Sequence, residues 1–583
     1  MERKPLYLGS GNDAFFAWLH AEPAVAARDC VAVLCAPGGY EYTRAHRTMR
    51  HLADRFARAG IPALRFDYHG TGDSAGDDFD SDRVGTWIGN VREACAAARR
   101  LTGRERLCLV GVRLGGTLAS LASREVPVDD LVLWNPAVSG KGYVREMQAI
   151  ASSVEGAGSR DDGLMESAGF VMTRETTEAI RGIDLVRTPP RAARVLLVAR
   201  DDVAPSNAFC QAVAHANIPV ELARFGGWHE MLAEHLYTVV PQDAIAKIVD
   251  WSAAGALACD APAPDPEPAR PVAFEAPGES GPTRIEEETC AFGADGHLFG
   301  VVTRPIGEVT RPAIVMFNAG CVHHVGPNRL SVIVARALAA AGFPSLRFDL
   351  EGIGDSVMRT EGRENDPYPP SALQDARTAF EFMKERYGYR DFAALGLCSG
   401  AHTSFHAGLQ FEDESIGELI LINPLTFYWE EGFDQATQFE DAVAYRKSLR
   451  DSSRWKKLLR GDVNLVRLGQ VVAGQVAARV KARADELKEI LLPHKASRLA
   501  RDLGRLAAMR RRMTLFVAES DPGREILMTS ARRATAQGLK NGRIRFEMIP
   551  QADHTFSQLK PRTDLIARLL AHLARQGTLT QGT

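Results

Sequence analysis

The chain has 583 residues, of which 45% are hydrophobic and 25% charged, and its formal net charge is −3. This composition is typical of a soluble globular protein, and the length predicts more than one domain, because one hydrophobic core rarely organises more than about 300 residues. The small net charge excludes a general attraction to nucleic acid or to anionic membranes. The N-terminus lacks an apolar signal core, no long apolar run occurs, and the cysteines are scattered, so we expect a cytoplasmic protein without a membrane span.

The first half of the chain alternates predicted strands and helices. Residues 6–19 predict two short opening strands, and residues 31–36 predict a buried strand. An amphipathic helix is expected at 42–59, followed by a strand at 62–67. Such alternation predicts a mostly parallel sheet with helices on both faces.

The same signals recur in the second half of the chain. Segments 67–74, 111–116 and 133–136 match 349–356, 396–401 and 421–424, at a slowly growing offset. A long repeat of this kind predicts two whole domains instead of a solenoid. We place them at 1–252 and 284–583, joined by a Pro-rich linker at 253–283.

The segment Gly396-Leu397-Cys398-Ser399-Gly400 lies between a predicted strand and a predicted helix. A Gly-x-nucleophile-x-Gly turn holds its central residue in a strained conformation that lifts the side chain above the sheet edge. Cys398 occupies that position, and Ser399 would contribute its backbone N–H. The alternative is a small-residue turn with a buried structural cysteine.

Four strings of the second half carry a resemblance to known proteins. They are Asn318-Ala319-Gly320, Gly326-Pro327-Asn328-Arg329, Gly352-Ile353-Gly354-Asp355-Ser356 and Gly396-Leu397-Cys398-Ser399-Gly400. With them the chain resembles the α/β-hydrolase superfamily, and within it the serine-aminopeptidase-like and exosortase-system-associated hydrolases. The resemblance covers both copies nearly end to end. It implies two tandem α/β-hydrolase domains, each a mostly parallel sheet flanked by helices, the second with a larger helical lid at about 425–512.

The resemblance also implies the site residues, in the chain order nucleophile, acid and histidine. Carried onto the second copy, it gives Cys398 as nucleophile, Asp521 as acid and His554 as base. Backbone N–H groups near Gly320 or Cys321, with that of Ser399, would hold an oxyanion. The alternatives are Glu519 as the acid, a surface-loop role for His554 and a turn role for Asp521.

A cysteine at the elbow favours particular substrates. A helix N-terminus, a neighbouring imidazolium and aimed backbone donors would favour the thiolate of Cys398, and thiolates attack esters and thioesters well. We expect an acyl hydrolase that forms a covalent acyl-enzyme. The alternatives are an acyltransferase or cyclase that uses a carrier-bound thioester in a biosynthetic pathway, and a non-catalytic binding or scaffolding pseudoenzyme.

The first copy departs from this pattern. Arg113 occupies the elbow position, and a guanidinium cannot act as a nucleophile. Asp202 (or Asp201) and His229 keep the acid and base positions, so we expect a degenerate and catalytically silent domain. Its role would be packing against the second copy, or capture of a carboxylate or phosphate by Arg113.

Residues 446–513 are strongly basic and carry apolar residues at helical spacing. They predict either a solvated lid surface or attraction of an anionic carrier such as coenzyme A or an acyl carrier protein. We expect no nucleic-acid partner. His323 and His324 have no third ligand at metal spacing, so we interpret them as loop histidines lining the pocket and expect no metal or cofactor. The oligomeric state is not predicted.

Overall fold

The computed structural model divides the chain into two compact units. The first comprises Met1–Thr310, Cys321–Pro367 and Ser557–Leu559, and the second comprises Arg311–Gly320, Tyr368–Phe556 and Lys560–Thr583. The structure describes residues 1–153, 163–262, 264, 269–278, 281–307, 309–359, 362–429, 496–519 and 521–577. Most of the predicted lid at about 425–512 and of the basic segment 446–513 therefore lies outside the described residues. The predicted domain boundaries stay a prediction.

The strands of the first copy are short and mostly buried. They are β1 (Glu2–Leu8), β2 (Phe15–Ala21), β3 (Cys30–Cys35), β4 (Ala63–Phe66), β5 (Arg106–Val112), β6 (Asp130–Trp134), β7 (Met165–Ser167), β8 (Phe170–Met172), β9 (Arg194–Arg200) and β10 (Val220–Phe225). Eight of them form a sheet in the order β1-β2-β4-β3-β5-β6-β9-β10, and β7 pairs with β8. The pairs β1-β2 and β2-β4 are antiparallel, and the remaining pairs of this sheet are parallel.

Helices cover both faces of this sheet. They are α1 (Tyr40–Arg58), α2 (Arg83–Thr102), α3 (Leu114–Ala122), α4 (Gly140–Ser153), α5 (Arg174–Arg181), α6 (Asn207–His215), α7 (Trp228–Met231) and α8 (Gln242–Gly255). Alternate residues of β3 enter two different hydrophobic clusters, with Val31 and Val33 in one and Ala32 and Leu34 in the other. A strand buried on both faces explains why this segment reads as a continuous apolar run in the sequence.

The second copy repeats these elements. Its strands are β11 (Val272–Ala276), β12 (Thr283–Phe292), β13 (Leu298–Pro305), β14 (Ala313–Phe317), β15 (Ser345–Phe348), β16 (Phe392–Leu397), β17 (Ile416–Ile422), β18 (Arg512–Ala518) and β19 (Ile544–Ile549). Its helices in the described residues are α9 (Leu330–Ala340), α10 (Ala372–Tyr387), α11 (Ser399–Gln410), α12 (Arg498–Ala508), α13 (Gly523–Ser530), α14 (Arg532–Lys540) and α15 (Leu559–Gly577).

The strand order of the second copy matches that of the first. In the first unit β11, β12, β13 and β15 form successive antiparallel pairs. In the second unit β14, β16, β17, β18 and β19 form successive parallel pairs. These five strands repeat the order β3-β5-β6-β9-β10 of the first copy. The predicted fold class, mostly parallel sheets flanked by helices in two copies, is confirmed.

Part of the segment predicted as a linker is regular structure. The end of α8 lies within 253–283, and so does β11, which pairs with β12. Val272, Phe274 and Ala276 of β11 are buried, in the alternating pattern of a strand with one face on a core. The Pro-rich composition of the preceding residues hides this short alternation in the sequence.

The matching turns 67–74 and 349–356 have the same internal hydrogen bonds. Ser74 Oγ donates to the Asp67 carbonyl at 2.7 Å, and the Asp73 N–H donates to Asp67 Oδ2 at 2.9 Å. Ser356 Oγ donates in the same way to the Asp349 carbonyl at 2.6 Å. In each copy the aspartate that precedes the Gly-x-Gly-Asp-Ser motif, Asp67 or Asp349, therefore accepts the hydrogen bonds that close the turn.

The two turns also exchange buried ion pairs within the first unit. Arg347, just before the second turn, pairs with Asp73 of the first, and Arg65, just before the first turn, pairs with Asp355 of the second. His324 lies between two carboxylates, with Nδ1 2.7 Å from Asp349 and Nε2 2.7 Å from Asp73. These reciprocal pairs make a pseudo-symmetric contact between segments of the two copies.

The interpretation of His324 as a pocket-lining loop histidine is wrong. Its ring is buried, and both ring nitrogens are hydrogen-bonded to carboxylates. His324, Asp349 and Asp355 also place potential metal-ligand atoms within 4.8 Å of one another, which the sequence spacing did not indicate. Although burial opposes it, the charges of Asp349 and Asp73 raise the pKa of His324 from 6.5 to about 10. His323 stacks on His46 with ring centroids 3.9 Å apart. Sequence reasoning missed this arrangement because the partners are more than 20 positions away.

Candidate active site

The predicted elbow is present at the end of β16 in the second unit. Cys398 has φ 58° and ψ −117°, and α11 begins at the next residue. A Cβ on Gly396 would lie 2.0 Å from the Gly400 carbonyl carbon, and a Cβ on Gly400 would lie 2.7 Å from the Asn318 carbonyl oxygen. The turn therefore requires glycine on both sides. It holds the half-buried Cys398 in a backbone conformation that a non-glycine residue rarely adopts.

The predicted acid and base lie together beyond the ends of neighbouring parallel strands. His554 Nδ1 is 2.7 Å from Asp521 Oδ2, and Asp521 is buried. The other oxygen of Asp521 accepts a hydrogen bond from the Gly523 N–H at 3.1 Å. Glu519, the alternative acid, instead accepts from the Gln551 N–H. Asp521 is thus the carboxylate that orients the His554 ring.

Cys398 joins this pair. Although burial opposes it, the charge of Cys398 and the hydrogen bond to Asp521 raise the pKa of His554 from 6.5 to about 10. Because Nδ1 is bonded to Asp521, Nε2 is the ring nitrogen left to exchange a proton with Cys398. A thiolate beside an imidazolium is the form in which a cysteine attacks a carbonyl.

Asn423 is a site residue that the sequence analysis includes only within the matching segments 133–136 and 421–424, both of which end in an Asn-Pro motif. Its side-chain Nδ2 donates to the His554 carbonyl at 2.7 Å, and its Oδ1 accepts from the Ala518 N–H at 2.7 Å. The residue is fully buried, with φ 44°. One side chain therefore connects the loop that carries His554 to the strand end that precedes Asp521.

The predicted oxyanion donors differ in what they contact. The Gly320 N–H donates to Ser399 Oγ at 2.9 Å, so an oxyanion bound there would displace the Ser399 hydroxyl. The Ser399 N–H is the first amide of α11, where a helix has no internal acceptor for it. Cys321 belongs to the first unit, in which its Sγ donates to the Asn365 carbonyl at 3.1 Å.

An aromatic cluster follows Cys398 in the same unit. His402 lies one helical turn later in α11, and its ring centroid is 5.2 Å from that of Tyr368. Tyr368 stacks on Trp429 at 5.2 Å. Burial lowers the pKa of His402 from 6.5 to about 3, so this imidazole is neutral and acts as an aromatic surface.

The elbow of the first copy has the same backbone conformation as that of the second, with an arginine in place of the cysteine. Arg113 has φ 52° and ψ −120°, nearly the values of Cys398. Its Nε donates to Glu41 at 2.9 Å, and its Nη2 donates to both oxygens of Glu146 at 2.7 Å. These two carboxylates bind the guanidinium donors that would capture a carboxylate or phosphate, which is the alternative role predicted for Arg113.

His229 of the first copy contacts its aspartate through a different ring nitrogen from the one that His554 uses. Its Nε2, not Nδ1, is 3.1 Å from Asp202 Oδ2, and the same Nε2 is 2.8 Å from Arg200 Nη2. Hydrogen bonds from Arg200 and His229 hold the pKa of Asp202 below its usual range. Asp201 is exposed. His229 therefore contacts its aspartate through Nε2, whereas His554 contacts its aspartate through Nδ1.

Comparisons with known proteins agree with this division into two copies. A family model described as serine aminopeptidase, S33, matches residues 29–160, and one described as alpha/beta hydrolase family matches residues 317–568. Comparison with curated proteins finds no match. None of the described helices is long and apolar enough to cross a membrane.

Solved structures resemble the chain over the length of one copy. Est1E from Butyrivibrio proteoclasticus is 14% identical, with a TM-score of 0.32, over 43% of this chain and 97% of that one. An esterase from Pyrococcus furiosus is 16% identical, with a TM-score of 0.32, over 43% and 89%. An alpha-beta serine hydrolase homologue from Coxiella burnetii is 15% identical, with a TM-score of 0.29, over 43% and 97%.

Proposed function

This chain belongs to the α/β-hydrolase superfamily, and we propose that its second copy is an acyl hydrolase that cleaves esters or thioesters through an acyl-enzyme on Cys398. The observation that carries the proposal is the hydrogen bond between His554 and Asp521, with Cys398 close enough to shift the pKa of His554 and held at a strained strand-to-helix turn. The chain order of these residues is the one expected for this superfamily.

The first half of the reaction forms the acyl-enzyme. The thiolate of Cys398 attacks the carbonyl carbon, and the carbonyl oxygen takes the negative charge. His554 Nε2 then donates its proton to the leaving alkoxide or thiolate as the C–O or C–S bond breaks. The Ser399 N–H is the donor best placed by helix geometry to bind the oxyanion, and the Gly320 N–H joins it once the Ser399 hydroxyl moves away.

The second half returns the free enzyme. Neutral His554 takes a proton from water, the hydroxide oxygen attacks the acyl carbon, and the C–S bond to Cys398 breaks to give a carboxylic acid and the thiolate. Asp521 holds the Nδ1–H throughout, so that Nε2 is always the nitrogen that faces sulfur. It also stabilises the imidazolium that forms in both halves.

The nucleophile and its surroundings favour activated and apolar acyl groups. A thiolate is a better leaving group than most amines, so a tetrahedral intermediate formed from an amide would tend to expel Cys398 again. The Tyr368, His402 and Trp429 cluster offers aromatic faces one helical turn beyond the nucleophile. We therefore propose esters and thioesters with apolar or aromatic acyl groups as substrates.

The first copy takes no chemical part in this proposal. Arg113 cannot attack a carbonyl, and its guanidinium is already bonded to Glu41 and Glu146. The orientation of His229 supports the same conclusion, because its Nε2 is committed to Asp202 and Arg200. We propose that this copy is catalytically silent.

The test is detection of the acyl-enzyme. The whole protein is mixed with a p-nitrophenyl ester or an acyl pantetheine thioester, and a burst of about one equivalent of product is followed together with the intact mass. The expected adduct maps to Cys398 and is absent in Cys398→Ala. Full turnover by Cys398→Ala would overturn the proposal. Product that forms only with an added amine or alcohol would identify a transferase instead.

A further inference from the structure

Asn423 ties together the two loops that supply the acid and the base. The Ala518 N–H lies at the end of β18, three residues before Asp521, and the His554 carbonyl belongs to the base itself. Both hydrogen bonds are 2.7 Å long, and the side chain is completely buried. Movement of either loop would break one of these hydrogen bonds and leave a buried polar group of the Asn423 carboxamide without a partner. Such a loss is costly inside a protein, so the carboxamide holds both loops in place.

We infer that Asn423 is a positioning residue for the acyl-transfer site, which keeps the His554 ring in register with Asp521 and Cys398. The inference rests on the proposed function of those three residues. Asn423 reaches no reacting atom in the structure. It acts through the two backbone groups that fix where the imidazole and the carboxylate meet.

The chemistry of the position favours asparagine over other residues. The two backbone partners are an N–H and a carbonyl oxygen, so the side chain must accept from one and donate to the other, which a carboxamide does in one plane. An aspartate could accept from the Ala518 N–H, but its other oxygen would face the His554 carbonyl without a proton. The positive φ of 44° is also one that asparagine tolerates better than most residues.

The first copy supplies a matched control. Asn135 occupies the same place in its motif, with φ 45°, and its N–H donates to the Val198 carbonyl at 2.8 Å. The Asn423 N–H donates to the Phe516 carbonyl at 3.0 Å in the same way. Within the described residues, no side-chain hydrogen bond joins Asn135 to the His229 loop. A substitution at Asn135 therefore repeats the backbone effect without the connection between loops.

The experiment measures the thiolate directly, so that it needs no knowledge of the substrate. Iodoacetamide alkylation of Cys398 is followed by peptide mass spectrometry in the whole protein, between about pH 6 and pH 9, for wild type, Asn423→Asp, Asn423→Gly and Asn135→Asp. Turnover of a p-nitrophenyl ester and thermal melting are measured on the same samples. Asn423→Gly removes the carboxamide without backbone strain.

We expect Cys398 to be alkylated at closely similar rates in wild type and Asn135→Asp at each pH. Both Asn423 variants should react about tenfold or more slowly at neutral pH and lose kcat with KM nearly unchanged. Alkylation and kcat equal to wild type in both Asn423 variants would overturn the inference. Loss of reactivity only together with loss of the folded state would also overturn it, because that result marks a purely structural residue.

The same data separate this inference from the proposed function. If Cys398 of the wild type resists alkylation, the nucleophile proposal fails and the role of Asn423 fails with it. If the wild type reacts and the Asn423 variants react equally well, only the positioning role fails.

Discussion

Replacing Asp73 by asparagine should cost the first unit about 3 kcal/mol of unfolding free energy at neutral pH, because it leaves two buried cations short of a counter-charge. Asp73 pairs with Arg347 and with His324, and all three side chains are 1% exposed. Solvent therefore cannot replace the lost carboxylate. Arg347 and His324 keep second partners in Glu287 at 3.0 Å and Asp349 at 2.7 Å, which places the cost at the lower end of the usual range of about 3 to 5 kcal/mol.

The assay follows hydrogen exchange of the β4 amides, alongside urea unfolding of the whole protein. Local exchange reports the opening free energy of this unit, even when the two units unfold in separate steps. Glu125→Gln is the control, since Glu125 and Arg92 form an ion pair that is about half exposed and should contribute less than about 1 kcal/mol. A loss in Asp73→Asn no larger than that of the control would refute the argument that these charges are buried together.

Three further predictions concern charge and chemistry. The raised pKa of His324 stabilises the folded state fully below its ordinary pKa of 6.5, and this stabilisation is lost as pH rises through about 10. The unfolding free energy of the wild type should therefore fall over that range. His324→Gln should remove most of this pH dependence when urea midpoints are measured against pH. Cys398→Ser should lose at least about a hundredfold in thioester turnover, because a hydroxyl is far less acidic than a thiol; unchanged turnover in a thiol-release assay would contradict this. Arg113→Cys should add no second fast-reacting thiol in an alkylation count, because Glu41 beside it disfavours a thiolate and His229 presents Nε2 to Asp202.

The parts of the site that the sequence predicts are those fixed by local geometry. The turn around Cys398 needs small residues at set positions, and Asp521 and His554 follow strands whose ends meet at one edge of the sheet. The repeated turns make the duplication visible in the sequence alone. These features leave a pattern because each depends on neighbours within a few residues or on strand order.

The parts that the sequence does not predict depend on which distant side chain fills a given space. Asn423 meets the His554 carbonyl 131 positions away, and the Ser399 hydroxyl meets the Gly320 amide 79 positions away. His324 is held by Asp73 across 251 positions. Propensity and spacing carry no information about such partners. The repeated Asn-Pro motif was the one available signal for Asn423, and it gave the position without the contacts.

The two elbows show which observation identifies a functional site. Arg113 and Cys398 share a strained backbone conformation, although only one of them can act as a nucleophile. A Cβ on Gly115 of the first copy would lie 2.2 Å from the Ala36 carbonyl oxygen, so close packing of the turn against β3 maintains the conformation without any catalytic demand. Strain alone therefore does not distinguish the copies. The copies differ in the elbow side chain and in the nitrogen that each histidine gives to its aspartate: Nδ1 in His554, which leaves Nε2 for sulfur, and Nε2 in the exposed His229.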